Sequence, residues 1–340
     1  MRPFGRTPII MGHAHDKFHV IEPAENLNKF GFLHKHWEGR NYPPIIDPDC
    51  IQQLQREWDT DEYDIFVCSH QKVGTHLLEK YVVETLLSSI TLPDTHPMAN
   101  GDIGHAALPW PEVMVSQWGL DDFRDFLEVT KGQPRVWYTH CSADDLPFRS
   151  IHPKTKFVFV FRDPKGAAVS QFFFYKNHPL LGVNPELDMD TFVDMFIEGN
   201  LYFCDYHKQT LGWLSRCHGR INHDQILAFR FEELVMNKFD CAKALAKFLL
   251  PELQLSDEKL MNIAAATEFD TMKKEITDNP RSFHFNPNTF FRSGKTDDWK
   301  EKLSSEAILK IDAKTARVWP GGDTSQPVIT DIQRPTLTAE

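Results

Sequence analysis

Lys72, Gly74 and Thr75 fall in one short turn, His70-Gln71-Lys72-Val73-Gly74-Thr75, between the apolar run YDIFVCS and the segment HLLEKYVVETLLSS. In that segment Leu77, Leu78, Tyr81, Val82 and Thr85 recur at helical spacing, so the stretch from Tyr63 to Ser88 predicts strand, tight loop and helix. Unpaired backbone N–H groups at such a turn and helix start carry partial positive charge and can cradle a phosphate. Lys72 would add a full charge and Thr75 a hydroxyl. The turn is not a Walker A loop, in which lysine follows the second glycine, because Lys72 precedes Gly74 by two residues. Taken alone, such a turn is usually just a solvated loop, and the phosphate reading requires a second anion site.

A second site is offered by KFVFVFRDPKGAAVSQFFFYK. An apolar strand ends there in Arg162, and a helix opens with Asp163 as N-cap and Pro164 at its first position. Ser170, eight residues after Arg162, sits two turns into that helix, so both side chains could reach one phosphate. Arginine suits the task through its planar donor fork. By itself, an arginine here reads more readily as one partner of a surface ion pair than as a phosphate ligand.

The elements that must position these residues are short β-branched or aromatic runs alternating with helical stretches. Strands are predicted at Asp64–Ser69, Arg135–His140, Lys156–Phe161 and Gln225–Phe231. Such alternation implies an α/β fold, a single domain with a central, mainly parallel sheet flanked by helices and a P-loop-like phosphate-binding strand-loop-helix. FVFVF lacks polar alternation and is expected to be a central strand buried on both faces. The expected organisation is an arm over residues 1–60, with a short helix near Asp49–Trp58, packing on a domain over 61–320, then a tail over 321–340.

The net charge of −11 argues against broad nucleic-acid or anionic-membrane binding, both of which use cationic surfaces. An acidic balance serves solubility, or favours a cationic acceptor. Six scattered cysteines without a CxxC pair, no signal-peptide pattern and no run of about 18 apolar residues point to a reducing, cytoplasmic setting. The His13-x-His15 and His34-x-His36 pairs have no supporting Cys cluster or HExxH, and no metal site is expected. Phe172–Tyr175 with Trp213 could line an acceptor pocket, although most are expected in the core. Trp110, beside the strand that ends at His140, is the aromatic expected to touch an acceptor.

Together these segments resemble the cytosolic sulfotransferases. The Lys-x-Gly-Thr turn is similar to the family's 5′-phosphosulfate loop, and FRDPKGAAVSQFFFYK to its 3′-phosphate motif. RVWYTHCSADDLP resembles the segment carrying the catalytic histidine, and FFRSGKTDDWK the C-terminal Arg-Lys-Gly loop. LPWPE and TEFDTM are weaker matches, and coverage runs from about Tyr63 to Trp299.

The resemblance implies transfer of a sulfuryl group from 3′-phosphoadenosine 5′-phosphosulfate (PAPS) to a hydroxyl, or an amine, of a small-molecule acceptor. Adenosine 3′,5′-bisphosphate (PAP) is then the product, and no metal is required. It implies donor contacts from Lys72, Val73, Gly74, Thr75, His76 and Leu77, from Arg162 and Ser170, and from Phe231, Thr267 and Phe269. Arg292, Ser293 and Gly294 would close over the 3′-phosphate. His140 would be the general base beside Lys72, with Trp110 and His140 on the acceptor.

Several positions depart from the family pattern. Its second threonine and following tryptophan are His76 and Leu77, so adenine must be held differently. The lysine two residues before the catalytic histidine is Tyr138, and the lysine of the closing loop is Ser293, with Lys295 two residues on. Ser304, Ser305 and Leu309 replace the Thr, Val and Glu of a family dimerisation motif, which implies a monomer or a different dimer. A P-loop-like nucleotide kinase and a non-catalytic adenosine-nucleotide binding protein share parts of this logic. The first lacks GK[ST] and a Walker B signal; the second would bind donor product without turnover.

Overall fold

The computed structural model describes residues 34–37, 39–104, 108–178, 183–203, 205–278 and 291–319. His13, His15 and the tail over 321–340 lie outside them. The apolar runs become four parallel strands: β3 (Asp64–Ser69), β4 (Arg135–Thr139), β5 (Lys156–Phe161) and β6 (Ile226–Arg230), in the order β4-β3-β5-β6. A short antiparallel hairpin, β1 (Lys35–Trp37) and β2 (Arg40–Tyr42), precedes them.

Successive strand residues face opposite sides, and here both sides are covered. On β5, Val158 and Val160 enter one apolar layer, while Phe157, Phe159 and Phe161 enter the other. That two-sided burial is why FVFVF carries no polar residue, and β5 is an inner strand as its composition requires.

Three strand ends differ from expectation by one residue each. β4 stops at Thr139, where the ladder with β3 ends at the Cys68–Thr139 pair, so His140 leaves the sheet rather than continuing it. β6 starts at Ile226 because Gln225 turns its side-chain amide to the carbonyls of His152 and Thr155. Phe231 leaves the strand to begin a helix.

Among the described residues the main helices, in order, are α1 (Pro48–Glu57), α2 (Thr75–Leu87), α3 (Pro111–Trp118), α4 (Leu120–Val129), α5 (Pro164–Asn177), α6 (Met189–Glu198), α7 (Tyr206–Leu214), α8 (Phe231–Met236), α9 (Lys238–Leu249), α10 (Asp257–Ala266), α11 (Phe269–Asp278), α12 (Trp299–Lys302) and α13 (Ser305–Val318). Asp47 caps α1 and Asp163 caps α5, each accepting from a backbone N–H two residues on, and each is followed by proline. The side-chain oxygen satisfies one orphan donor and proline needs none, so these sequences start helices at fixed points.

Residues before β3 pack onto the later chain at two places. Ile46 and Ile51 are fully buried, and the Phe203 amide donates to the Asn41 carbonyl at 2.8 Å. Chain order places β4 on one side of β3 and β5 on the other, so connections diverge at the carboxyl end of β3. That is the crevice where open parallel sheets bind ligands. Residues 70–74, His140 and Arg162 all leave strands at this edge.

Candidate active site

The turn after β3 is held from α5. Gln171 donates to the Gln71 carbonyl at 3.1 Å and pairs with His70 Nδ1 at 2.9 Å, while the Tyr175 hydroxyl donates to Gln71 Oε1 at 2.6 Å. Lys72 takes a left-handed φ of 63°, and Gly74 has φ 112° at the N-cap of α2. A Cβ on Gly74 would lie 2.6 Å from Cδ2 of Phe231. Gly74→Ala is therefore expected to destabilise by about 1–3 kcal/mol through strain and overlap, read as a lower melting temperature. An unchanged melting temperature would mean that Phe231 yields freely.

Three cations from three segments converge beside this turn, each over an aromatic ring. Lys72 Nζ lies 4.6 Å from the Phe174 centroid, the Arg162 guanidinium 4.3 Å from Phe231, and the Arg292 guanidinium 4.6 Å from Phe173. Burial first, then Arg162 and Arg292, push the Lys72 ammonium down to about 7. Phe173 and Phe174 thus underlie cations and Tyr175 braces the turn. Trp213 is stacked on Phe159 within the core, and Phe172 packs against Phe192. Phe172, Tyr175 and Trp213 are buried, as expected for most of this set, while Phe173 and Phe174 lie beside cations; helical spacing does not distinguish a core ring from one that carries a cation.

Arg162 is fixed at both ends. Its backbone exchanges hydrogen bonds with the Tyr206 hydroxyl, and Nη2 donates to the Lys295 carbonyl at 2.9 Å. Gly166 allows the side chain to fold over α5, since a Cβ there would sit 2.8 Å from Nε. Nε itself is buried with no hydrogen-bond partner among the described residues, a donor that an anion would satisfy. Ser170 lies on the same helix, half-buried.

The closing segment is latched to these parts. Arg292 pairs with Asp298, and Ser293 Oγ donates to the same carboxylate at 3.2 Å. Gly294, at φ 64°, sits where a Cβ would be 2.6 Å from Phe269. Phe231 and Phe269 thereby abut the two glycines of the candidate phosphate loops. Lys295 meets Arg162 through its carbonyl while the residue is exposed. The Thr267 hydroxyl donates to the Ala264 carbonyl at the end of α10. Val73 is fully buried, whereas Leu77 is half-buried.

His140 stands at the end of β4 beside Ser69. Its Nδ1 is 2.9 Å from the Ser69 carbonyl, which only accepts, so Nδ1 carries the proton and Nε2 the lone pair. Burial pushes this imidazole down to about 3, which keeps it neutral near pH 7. Ser69 Oγ contacts Thr75 Oγ1 at 2.7 Å and His140 Nδ1 at 3.3 Å, linking the histidine to the turn. The rings of Trp110, Tyr138 and Phe203 stand 5.1, 5.9 and 5.4 Å from the imidazole. Phe203 was not signalled by the sequence, because it reaches His140 from a distant segment with a left-handed φ of 66°.

Glu112 is another residue without a sequence signal of its own. It is fully buried, receives the Thr139 hydroxyl and the Cys141 thiol on one oxygen, and is pushed up to about 7 by burial. It thereby grips the chain on either side of His140. Among the described residues no three His, Cys, Asp or Glu side chains gather as metal ligands, and no helix is long and apolar enough to cross a membrane. His36 Nδ1 is paired with Asn41 Oδ1 at 2.8 Å.

The described geometry is thus a parallel α/β sheet with a cation-lined turn at its switch point and a neutral imidazole just beyond the neighbouring strand, a setting suited to an anionic ligand. The comparisons with known proteins name the class. A family model described as "Sulfotransferase domain" matches residues 62–319, and the chain belongs to the sulfotransferase family of enzymes.

Among relatives, sulfotransferase 6B1 of Danio rerio is 30% identical over 86% of this chain and 90% of its own. Cytosolic sulfotransferase 17 of Arabidopsis thaliana is 26% identical over 73% and 72%. Mouse sulfotransferase SULT7A1, solved with PAP, shares the fold at TM-score 0.65 and 20% identity, covering 84% of this chain and 94% of its own. Retinol dehydratase, solved with retinol and PAP, follows at 0.59 and 20%, with 85% and 92% covered.

Proposed function

We propose that this enzyme transfers a sulfuryl group from PAPS to a hydroxyl of a small, largely apolar acceptor. The observation that carries the reading is the convergence of Lys72, Arg162 and Arg292 on one turn, adjacent to a histidine whose Nδ1 is already committed to a carbonyl. The cations suit the phosphates of the donor, with Arg162 Nε available to one of them. Thr75, Ser170, Ser293 and the backbone at Gly74 and Gly294 supply neutral donors around them. Phe231 and Phe269 are assigned as apolar donor contacts, with Thr267 behind Phe269.

In this mechanism His140 Nε2 takes the acceptor's hydroxyl proton as that oxygen bonds to sulfur. The bond from sulfur to the 5′-phosphate oxygen breaks, and PAP leaves with the electron pair. Lys72 and the turn amides stabilise the charge gathering on the leaving oxygen. Alignment of the attacking oxygen, sulfur and leaving oxygen is the main demand of such a transfer.

The ring wall of Trp110, Tyr138 and Phe203 favours a flat or apolar acceptor over a highly charged one. Retinol and androsterone, seen bound to retinol dehydratase, fit that description. An amine remains chemically compatible with the same base. We place the enzyme in the cytoplasm, following the cytosolic relatives, and expect a monomer or a dimer using another face. Ser304 is spent on capping α13 and on Asp190, and Leu309 is exposed.

The direct test is a panel of phenols, alcohols and amines incubated with PAPS and read by mass for one added sulfuryl group. No product from any member, with PAP binding intact, would favour a binding protein. A larger thermal shift with ATP and magnesium than with PAP would favour a kinase.

Lys72 supplies a further expectation. With its ammonium pushed down to about 7, it is largely neutral above that pH in the free enzyme, and PAP would draw a proton onto it. PAP binding at pH 8 should therefore take up protons, seen in calorimetry as a heat that changes with buffer ionisation enthalpy, and its affinity should fall as pH rises past 7. Buffer-independent heats at pH 8 would show that Lys72 is already charged.

A further inference from the structure

β4 is an edge strand, paired in its sheet with β3 alone, and the segment leading into α3 meets its other edge. There the Pro109 carbonyl accepts the Tyr138 amide at 3.2 Å. Three residues on, in the first turn of α3, Glu112 brings a fully buried carboxylate to the end of the same strand. One oxygen, Oε1, accepts both the Thr139 hydroxyl and the Cys141 thiol, and Thr139 Oγ1 accepts the Cys141 amide in turn at 3.0 Å. The sheet ladder ends at Thr139, so these bonds take its place where the chain leaves β4 and His140 begins.

Trp110 lies between those two attachments as the N-cap of α3, with its ring 5.1 Å from the His140 imidazole at an interplanar angle of 80°. The carboxylate therefore joins the base to the ring that faces it: α3 carries Trp110, residues 139–141 carry His140, and Glu112 fastens one to the other. From α7, Gln209 donates to the His140 carbonyl and the Trp213 indole to the Cys141 carbonyl at 3.1 Å. Stability alone does not call for an acid at this position. Glu112 Oε2 has no hydrogen-bond partner among the described residues, and burial pushes the carboxyl up to about 7. A buried acid with an unsatisfied oxygen costs more than an apolar side chain of similar volume.

We propose that Glu112 is a positioning residue for sulfuryl transfer, holding His140 Nε2 and the Trp110 ring at a fixed separation so that an acceptor seated against the ring presents its hydroxyl to the base. The inference rests on the sulfotransferase reading above, with His140 as its base, and adds a residue that itself meets neither donor nor acceptor. A transfer aligned along three atoms tolerates little displacement, and an error of about 1 Å can cost about 10²-fold in rate. The strand ladder stops short of His140, and the Ser69 carbonyl fixes only the Nδ1 end of its ring. Glu112 supplies the missing restraint on the backbone that carries the ring.

The test uses Glu112→Ala, Glu112→Gln and Thr139→Val in the full chain, alone and combined with His140→Asn, with PAPS and the acceptor that the panel identifies. Glu112→Ala is expected to lose about 10²-fold in kcat. KM for PAPS and the PAP thermal shift should change little, because the cations lie on other segments. Glu112→Gln places a carbonyl where both donors can reach it and is expected to recover most of that loss. Thr139→Val removes one of the two donors at nearly constant volume and should also lower kcat, which keeps the test decisive should the Ala variant fail to fold. Residues that act through one another are not additive, so adding either substitution to His140→Asn should cost almost nothing further. A carboxylate that only stabilises the fold would lower the melting temperature and leave kcat per folded enzyme within a few-fold. That result, a Glu112→Gln protein as slow as Glu112→Ala, or a full additional loss in the His140→Asn background would each overturn the proposal. No turnover by the unmodified enzyme would overturn the sulfotransferase reading, and the role of Glu112 with it.

Discussion

His140→Ala is expected to lower kcat by about 10²–10⁴-fold, the range contributed by a positioned general base, while PAP still raises the melting temperature. Nδ1 is bound to the Ser69 carbonyl, so the acceptor's proton has one place to go, Nε2. The Ala variant also removes that hydrogen bond, and His140→Asn is the better control because its amide can still donate to Ser69. Both should bind PAP and both should show that loss of kcat. A kcat within a few-fold of the unmodified enzyme in either would take His140 out of the mechanism.

The pH profile adds a sign. A base must be unprotonated, and His140 is pushed down to about 3, so kcat/KM should show no acidic limb near the ordinary histidine value and should hold well below pH 6. Lys72 must be protonated, and burial with two neighbouring arginines pushes it down to about 7, so the basic limb should begin near there. A bell centred high, with an acidic limb near 6.5, would show that donor or acceptor binding reopens the His140 site to water.

Arg162→Ala is expected to abolish the PAP thermal shift at concentrations that stabilise the unmodified enzyme. A ligand at one hundred times its Kd stabilises by about 2.7 kcal/mol, and losing one buried charge-assisted partner costs about 2–5 kcal/mol, enough to erase the signal. The substitution acts twice: it removes the guanidinium, and it frees the 292–295 segment, whose Lys295 carbonyl that guanidinium holds. Arg162→Lys should recover little, because a point charge cannot reproduce the fork. Normal PAP binding by Arg162→Ala would remove this second phosphate site.

Much of this arrangement is readable in one dimension because the physics is local. An apolar run without alternation must be buried on both faces, and FVFVF is. Asp163-Pro164 must start a helix, because its cap and its missing donor act within two residues. A turn with Lys72 and Gly74 between strand and helix exposes amides wherever the fold places it.

Other features depend on segments far apart in the chain. That His140 ends a strand is legible to within one residue; that its Nδ1 is committed to Ser69, and that Phe203 faces it, is not, since those partners come from β3 and from the segment before α7. The aromatic series Phe172–Tyr175 reads as core or pocket by spacing, and only the packing shows Phe173 and Phe174 beneath cations.

The departures illustrate the same divide. His76 and Tyr138 are visible in the sequence as two separate losses. Their contact, and the buried Glu79 behind them, exist only once α2 packs beside β4.

The parallel α/β sheet and the turn at Lys72 are thus legible along the chain, because hydrophobic period, capping and side-chain chemistry act over a few residues. Which residues share a space emerges from packing: the three cations beside the turn, the tautomer of His140 and the contact of His76 with Tyr138. Coulombic and hydrogen-bond energies depend on distance and burial, and those are set by the packing of elements far apart in the chain.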